Sequence, residues 1–245
     1  MELVENLLHD VRYGMRMFVK NPGTTAIAVI SLAIAIGPNC ALFSVVDRLI
    51  LKPAPVQGIA QIFDMGVRAD RPGEWQSTSY PDLLDYQAQA GDVGTFAALY
   101  QDAAVLNSAG RREMVLMRLV SENYFSVLGV RPAGRTLQES DEHFEGQPPT
   151  VISYSLWQRQ FGGANDAVGK ALFLSGRAFS VVGIMPRGFR GPGFDLPIDV
   201  WIPFSAASPG DRRELMRRGG WGIATLVRLR EGVDKARAAP VNLRI

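Results

Sequence analysis

Apolar residues recur with a helical period at the amino terminus. Val4, Leu7, Leu8, Val11, Met15 and Phe18 fall on one stripe when successive residues are turned by about 100°. Arg12, Arg16 and Lys20 stand one turn apart beside that stripe. The pattern predicts an amphipathic helix over residues 1–20 lying on the cytoplasmic face of a lipid bilayer, apolar side down and cations toward anionic headgroups. A core-packing helix would share the same period.

Periodicity then gives way to continuous hydropathy. Residues 21–46 carry no Asp, Glu, Lys or Arg. As a helix, Thr24 to Val46 would reach about 35 Å, enough to cross a hydrocarbon core of about 30 Å. One transmembrane helix within residues 21–50 is therefore expected. Pro38 removes a backbone donor and should kink it, a defect that neighbouring helices or local adjustment absorb. A cleaved signal peptide fits less well, because the lead before the apolar run is long and no Ala-x-Ala site follows. Cys40 is preceded by Gly37, Pro38 and Asn39, not by a lipidation signal. A buried soluble helix is the other alternative, but the uncharged run is long for a core element. Arg12, Arg16 and Lys20 before the span, against Arg48 and Lys52 after it, put the amino terminus in the cytoplasm and the remainder outside.

Beyond the stiff exit Leu51-Lys52-Pro53-Ala54-Pro55, residues 51–245 read as short strands mixed with short helices, an α+β body. Strands are predicted at 61–67, 95–101, 103–107 and 113–120, the last two joined by a hairpin at Ser108 to Arg111. Pro81 opens a helix toward Gln89. Ser121 is expected to cap a helix through Tyr124, Phe125 and Leu128 that Gly129 ends; Ser153 caps another through Trp157 that Gly162-Gly163 ends. A second hairpin, 170–174 with 178–185, turns at Ser175-Gly176. Gly- and Pro-rich residues 186–197 break the chain before strands at 199–202 and 222–229, and a final helix starts at Asp234 and runs to Ala239.

Charge and composition narrow the chemistry. A net charge of +2 from 26 Lys+Arg and 24 Asp+Glu leaves no basic stripe for nucleic acid. One cysteine, Cys40, and two histidines, His9 and His143, exclude a disulfide framework and a Cys/His zinc module. Gly163 to Lys170 is one residue too long for a phosphate loop and lacks its Ser/Thr. Gly188 to Gly193 has the wrong glycine order for a dinucleotide turn and reads as a flexible loop. Glu139, Asp141, Glu142, His143 and Glu145 gather oxygen and imidazole ligands, yet a solvated loop accounts for them without a metal. Ser121, Ser153 and Ser155 have no histidine partner except His143 and no nucleophile elbow. Trp75, Trp157, Trp201 and Trp221 read as core or interface anchors. Arg212, Arg213, Arg217 and Arg218 form a basic cluster, a solvated face or a contact to an acidic partner or headgroup. No catalytic, cofactor-binding or metal-binding residue is assigned, no cofactor is expected, and the chain is not read as an enzyme.

Four ordered motifs carry a resemblance. The run LLHDVRYGMRMFVKNPGTTAIAVISLAIAIGPNCALFSVVDRLILKPAPV resembles the opening of MacB-like, FtsX-related ABC transporter permeases, particularly the acidobacterial-type duplicated orphan permeases. LVSENYFSVLGVRPAGRTL, TVISYSLWQRQFGG, and LSGRAFSVVGIMPRGFRG followed by DVWIPF are similar to that family's periplasmic core domain. Pro38, Cys40, Glu122 and a shortened RPAGR turn depart from its pattern. The resemblance implies a bacterial inner-membrane protein with residues 51–245 in the periplasm. It also implies a cytoplasmic ABC-type ATPase subunit and other permease copies as partners. The implied function is that of a permease segment whose periplasmic domain transmits or responds to ATPase-driven motion during export. A single-span, membrane-tethered periplasmic binding or sensor domain without transport is the alternative. Family members continue into three further spans, so the carboxyl end of the core domain is expected to be incomplete.

Overall fold

In a computed structural model of the chain, the described residues are 20–46, 58, 61–65, 67–68, 75–76, 78–108, 110–192, 197–218, 222–233 and 243–244. The surface helix predicted over 1–20 lies outside them except for Lys20. So do the helix predicted at 234–239, the side chain of Trp75 and the whole of Trp221. The chain divides into two units, residues 1–53 and 54–245.

The first unit contains α1, Pro22–Val46, 25 residues long with Pro38 inside it. Pro22 occupies its first turn, where a missing N–H costs nothing. The helix runs through Pro38, and one residue later Asn39 Nδ2 donates to the Ala35 carbonyl at 2.8 Å. That side-chain bond serves an acceptor beside the donor that proline lacks. Ile27, Val29, Ile30, Leu32, Ile34 and Ile36 are all at least half exposed, and at about 100° per residue they cover opposite sides of the helix. Among the described residues, no helix is long and apolar enough to cross a membrane. Within α1, described side chains run unbroken only over 29–40.

The second unit begins with β1 (Ile62–Met65) and the short pair β2 (Val67–Arg68) and β3 (Trp75–Gln76), where a single strand was predicted at 61–67. Helix α2 (Tyr80–Gln89) follows. Ser79 caps it: the Asp82 amide donates to Ser79 Oγ, while the Ser79 amide donates to Asp82 Oδ2 at 2.9 Å. Pro81 sits in the first turn, as its fixed φ favours.

Strand β4 spans Gly94–Ser108, a single strand of 15 residues where the sequence predicts two. Over its last ten residues it pairs with β5 (Arg111–Val120) in an antiparallel ladder from Leu99↔Val120 to Ser108↔Arg111. Helix α3 (Tyr124–Leu128) ends at Gly129, whose φ of 66° is the left-handed conformation predicted for it. Its cap is not Ser121. Ser121 Oγ accepts from the Ala98 amide at 3.0 Å and donates to Asn123 Oδ1, continuing the β4–β5 ladder into the loop. The strand edge offered a closer donor than the helix start.

Next come β6 (Ala133–Gly134), a 3-10 turn at Glu139–His143, β7 (Pro149–Ile152) and α4 (Tyr154–Phe161). Ser153 Oγ accepts from the Leu156 amide and Gly162 closes α4 at φ 61°, both as predicted. Strands β8 (Ala171–Leu174) and β9 (Arg177–Ile184) form the predicted hairpin. Ser175 and Gly176 both take positive φ, 48° and 83°, the pair that a two-residue primed turn requires. The chain completes with β10 (Val200–Pro203), α5 (Pro209–Leu215), β11 (Ile223–Leu229) and β12 (Leu243–Arg244).

Among the described residues, ten strands join in one sheet in the order β12-β1-β11-β4-β5-β10-β7-β9-β6, while β8 pairs with both β9 and β4. Most neighbours are antiparallel; β10 with β5 and β7 with β9 are parallel. The double pairing of β8 closes β4-β5-β10-β7-β9-β8 into a small barrel, and alternation along each strand decides what fills it. Leu106, Val115, Leu119, Ile152, Leu172 and Val200 are buried in one cluster. The opposite faces supply a second cluster in which Val120, Val151 and Trp201 pack against Tyr124, Phe125 and Leu128 of α3. Trp201 is the largest fully buried side chain, edge-on to Phe125 at 6.0 Å and 5.5 Å from Phe189. Phe189 thereby anchors the loop predicted to be flexible, of which residues 193–196 lie outside the described residues.

Candidate functional site

The length of β4 creates an opening. Its first half pairs with β11 as far as Tyr100↔Ile223, and on the same side it next meets a strand at Leu106↔Leu174 of β8. Between these points, Gln101 to Val105 have no strand partner on that side among the described residues. The fork so formed holds a cavity of about 420 Å³. Its floor is the barrel interior: Ala104, Met117, Leu119, Leu174, Phe179 and Ile202. Its rim is polar, with Asp102, Ser175, Arg177, Ser208 and Asp211.

Each rim group has a local cause. Arg177 follows the Ser175-Gly176 turn, which aims it back across the opening. Its guanidinium carbon stands 5.4 Å from the Phe144 ring centre and 5.5 Å from that of Phe179, while Nη1 donates to the Ala206 carbonyl at 3.1 Å. Two ring faces and one carbonyl hold a cation without neutralising it. Asp102 is half-buried, with Oδ1 accepting from the Ala103 amide at 2.7 Å. Asp211 accepts from the Ser208 hydroxyl and its amide donates to Ser208 Oγ, which caps α5. Both carboxylates act on Tyr100: burial pushes its phenol pKa up, and Asp102 and Asp211 push it further.

A wider cleft of about 750 Å³ lies between α3 and β6, lined by Phe125, Ser126, Gly129, Arg131, Arg135 and Thr136. Arg135 is already committed there, its two nitrogens donating to Asp141 at 2.6 and 2.9 Å. That bidentate pair leaves little charge for a ligand.

The acidic run is solvated only in part, as expected from the sequence for Glu139, His143 and Glu145, which are exposed, but not for Asp141 and Glu142. Asp141 is buried by its pairing with Arg135, and Glu142 Oε2 accepts from the Ser205 amide at 2.9 Å. Burial pushes the Glu142 carboxyl up, partly offset by its bonds from Ser205. Burial, with Glu142 and Glu122 nearby, pushes the Tyr80 phenol up to about 12. No group of metal-ligating side chains assembles among the described residues. Ser153 is a helix cap whose hydroxyl also donates to Asp199 Oδ1 at 3.0 Å, and Ser121 Oγ bonds a strand edge. Trp157 Nε1 donates to the Ala164 carbonyl, and Trp201 is fully buried, both anchoring roles as predicted. The arginine cluster disperses. Arg218 pairs with Asp85 and Asp82 of α2, Arg217 with Glu214, and Arg212 and Arg213 stay exposed.

Arg177 and Asp102 were missed by the sequence reading. Their only signal was a charged residue after a turn and an acid at the junction of two predicted strands. Tertiary closure brings them together.

The arrangement is an α+β body around a closed strand ring with an opening of about 420 Å³ beside β4. The chain belongs to the MacB-like periplasmic core domain family, whose model matches residues 25–240. That family forms periplasmic domains of transporter permeases and is not an enzyme family. The periplasmic region of MacB from Actinobacillus actinomycetemcomitans is similar at 17% identity and a TM-score of 0.55, covering 75% of this chain and 83% of that one. A permease-protein domain from Porphyromonas gingivalis is similar at 18% identity and a TM-score of 0.54, covering 75% and 81%. The extracellular domain of the noncanonic ABC-type transporter YknZ from Gram-positive bacteria matches at 14% identity and a TM-score of 0.51, covering 74% and 88%. These likenesses establish a shared fold. No curated protein matches the chain significantly.

Proposed function

We propose that this chain is a membrane-anchored segment of an ABC transporter permease subunit. Its periplasmic body responds to motion driven by a separate cytoplasmic ATPase during export across the inner membrane. The observation that carries the reading is a family match that starts within α1 and continues to residue 240. α1 supports the anchor: 25 helical residues rise about 37 Å, and apolar side chains on opposite sides of a helix suit lipid. The 245 residues hold no phosphate loop, and the reading assigns ATP hydrolysis to a partner polypeptide. The basic flank before α1 favours a cytoplasmic amino terminus, which leaves residues 54–245 in the periplasm. On this reading, other permease copies or segments complete the pathway.

The test is affinity purification of the full chain from membranes with reporters fused at each end. Co-purification of an ABC-type ATPase, with the carboxyl reporter outside, supports the reading. A cytoplasmic carboxyl reporter would sink the topology. The ligand-sized opening beside β4 favours a second reading, a membrane-tethered periplasmic binding or sensor domain. That reading predicts a chain that binds a small ligand without recruiting an ATPase.

A further inference from the structure

We propose that the opening beside β4 binds a small zwitterion with an apolar body, of the class of a free hydrophobic amino acid or a short peptide. The cavity of about 420 Å³ falls within the range of small-molecule sites, commonly about 300–1,000 Å³. Its floor takes only apolar groups: Ala104, Leu119, Leu174, Phe179 and Ile202 present no polar side chain to it. A ligand must therefore bring an apolar portion, which the barrel interior desolvates.

The rim specifies the other half. One guanidinium, Arg177, and two carboxylates, Asp102 and Asp211, border the same opening. Arg177 uses Nη1 on the Ala206 carbonyl and its faces on two phenyl rings. Among the described residues, no carboxylate forms an ion pair with it. Asp102 likewise holds only the Ala103 amide through Oδ1. Unpaired charges of both signs around an apolar floor are complementary to a molecule that carries both signs. A carboxylate reaches Arg177, whose fork of donors suits it, while an ammonium faces Asp102 and Asp211. A ligand with the anion alone meets two like charges, and one with the cation alone meets Arg177. The main chain from Gln101 to Ala104, without a strand partner on this side, adds the carbonyl of Ala103 for an amide donor.

The inference concerns ligand chemistry and stands whether or not the chain takes part in transport. The full chain, purified in mild detergent, is titrated calorimetrically with leucyl-leucine, with N-acetylleucine as the anion-only probe and leucinamide as the cation-only probe. The expected result is saturable binding of the dipeptide with about tenfold or greater preference over each single-charge probe. Arg177→Gln and Asp102→Asn should each weaken dipeptide binding about tenfold. Ala104→Phe should abolish it by filling the floor. Both charge variants change exposed or half-exposed side chains, so they carry the test if the Ala104 variant fails to fold by circular dichroism. No saturable dipeptide binding, equal affinity for N-acetylleucine, or binding unchanged by Arg177→Gln would overturn the proposal.

Discussion

Glu142 illustrates how a single side chain acts through where it is held. Its Oε2 takes the Ser205 amide, while Oε1 is buried with no hydrogen bond among the described residues. Desolvation therefore raises its pKa above the ordinary value of 4.5. The sign follows from proton linkage. Between the unfolded and the raised folded value, the folded chain binds the extra proton, so stability from protonated Glu142 is full below about 4.5 and is lost as pH rises through the folded pKa. Glu142→Gln, neutral at every pH, should melt higher than the parent at pH 7. The difference should shrink as pH falls toward 4, as thermal melts across that range would record. A constant difference would mean that packing, not ionisation, separates the two proteins.

At the scale of elements, local devices and close approaches contribute differently. The Ser79–Asp82 capping box satisfies donors at the start of α2 that nothing else reaches. Ser79→Ala should cost about 1 kcal/mol in chemical denaturation. Gly94 opens β4 where the chain crosses β11: a Cβ there would sit 2.5 Å from the Arg228 carbonyl oxygen and 2.9 Å from Val227 Cγ2. Neither a backbone oxygen nor a buried valine yields cheaply. Gly94→Ala should therefore cost more than Ser79→Ala, about 2 kcal/mol or above, by the overpacking of a paired strand. Equal costs in urea melts would show that β4 can shift its first residue away from β11. The same strand explains a misreading. Asp102 looks like a break between strands, yet β4 passes through it because β5 pairs continuously along that stretch.

For the whole molecule, the two units differ in what holds them. α1 presents Ile27, Val29, Leu32 and Ile34 outward at 59–68% exposure, a surface that water disfavours and lipid accepts. Under the proposed anchoring, Ile34→Asp should cost about 3 kcal/mol of insertion and shift much of the chain from the membrane fraction to the soluble or degraded pool. Fractionation and immunoblotting would record it. Full retention of that variant would mean that α1 does not lie in the hydrocarbon core. Among the described residues of the second unit, no comparable apolar helix face is bare; burial falls instead on two clusters either side of the sheet.

What the sequence determined by itself is whatever depends on a few adjacent residues: the uncharged run of α1, the left-handed closures at Gly129 and Gly162, the cap at Ser153 and the turn at Ser175-Gly176. These are steric and hydrogen-bonding choices settled within one turn of chain. The family motifs were legible for the same reason. Tertiary structure alone decided that β8 reaches β4 to close the ring, that Ser121 serves a strand edge instead of a helix, and that the acidic run is tied down at Glu142. It also brought Arg177 and Asp102 to one opening. The partners in these cases lie far along the chain, as Val105 and Ser175 or Glu142 and Ser205 do. No local pattern encodes such a meeting, because its free energy comes from burying both partners at once in a core that exists only after the strands have paired.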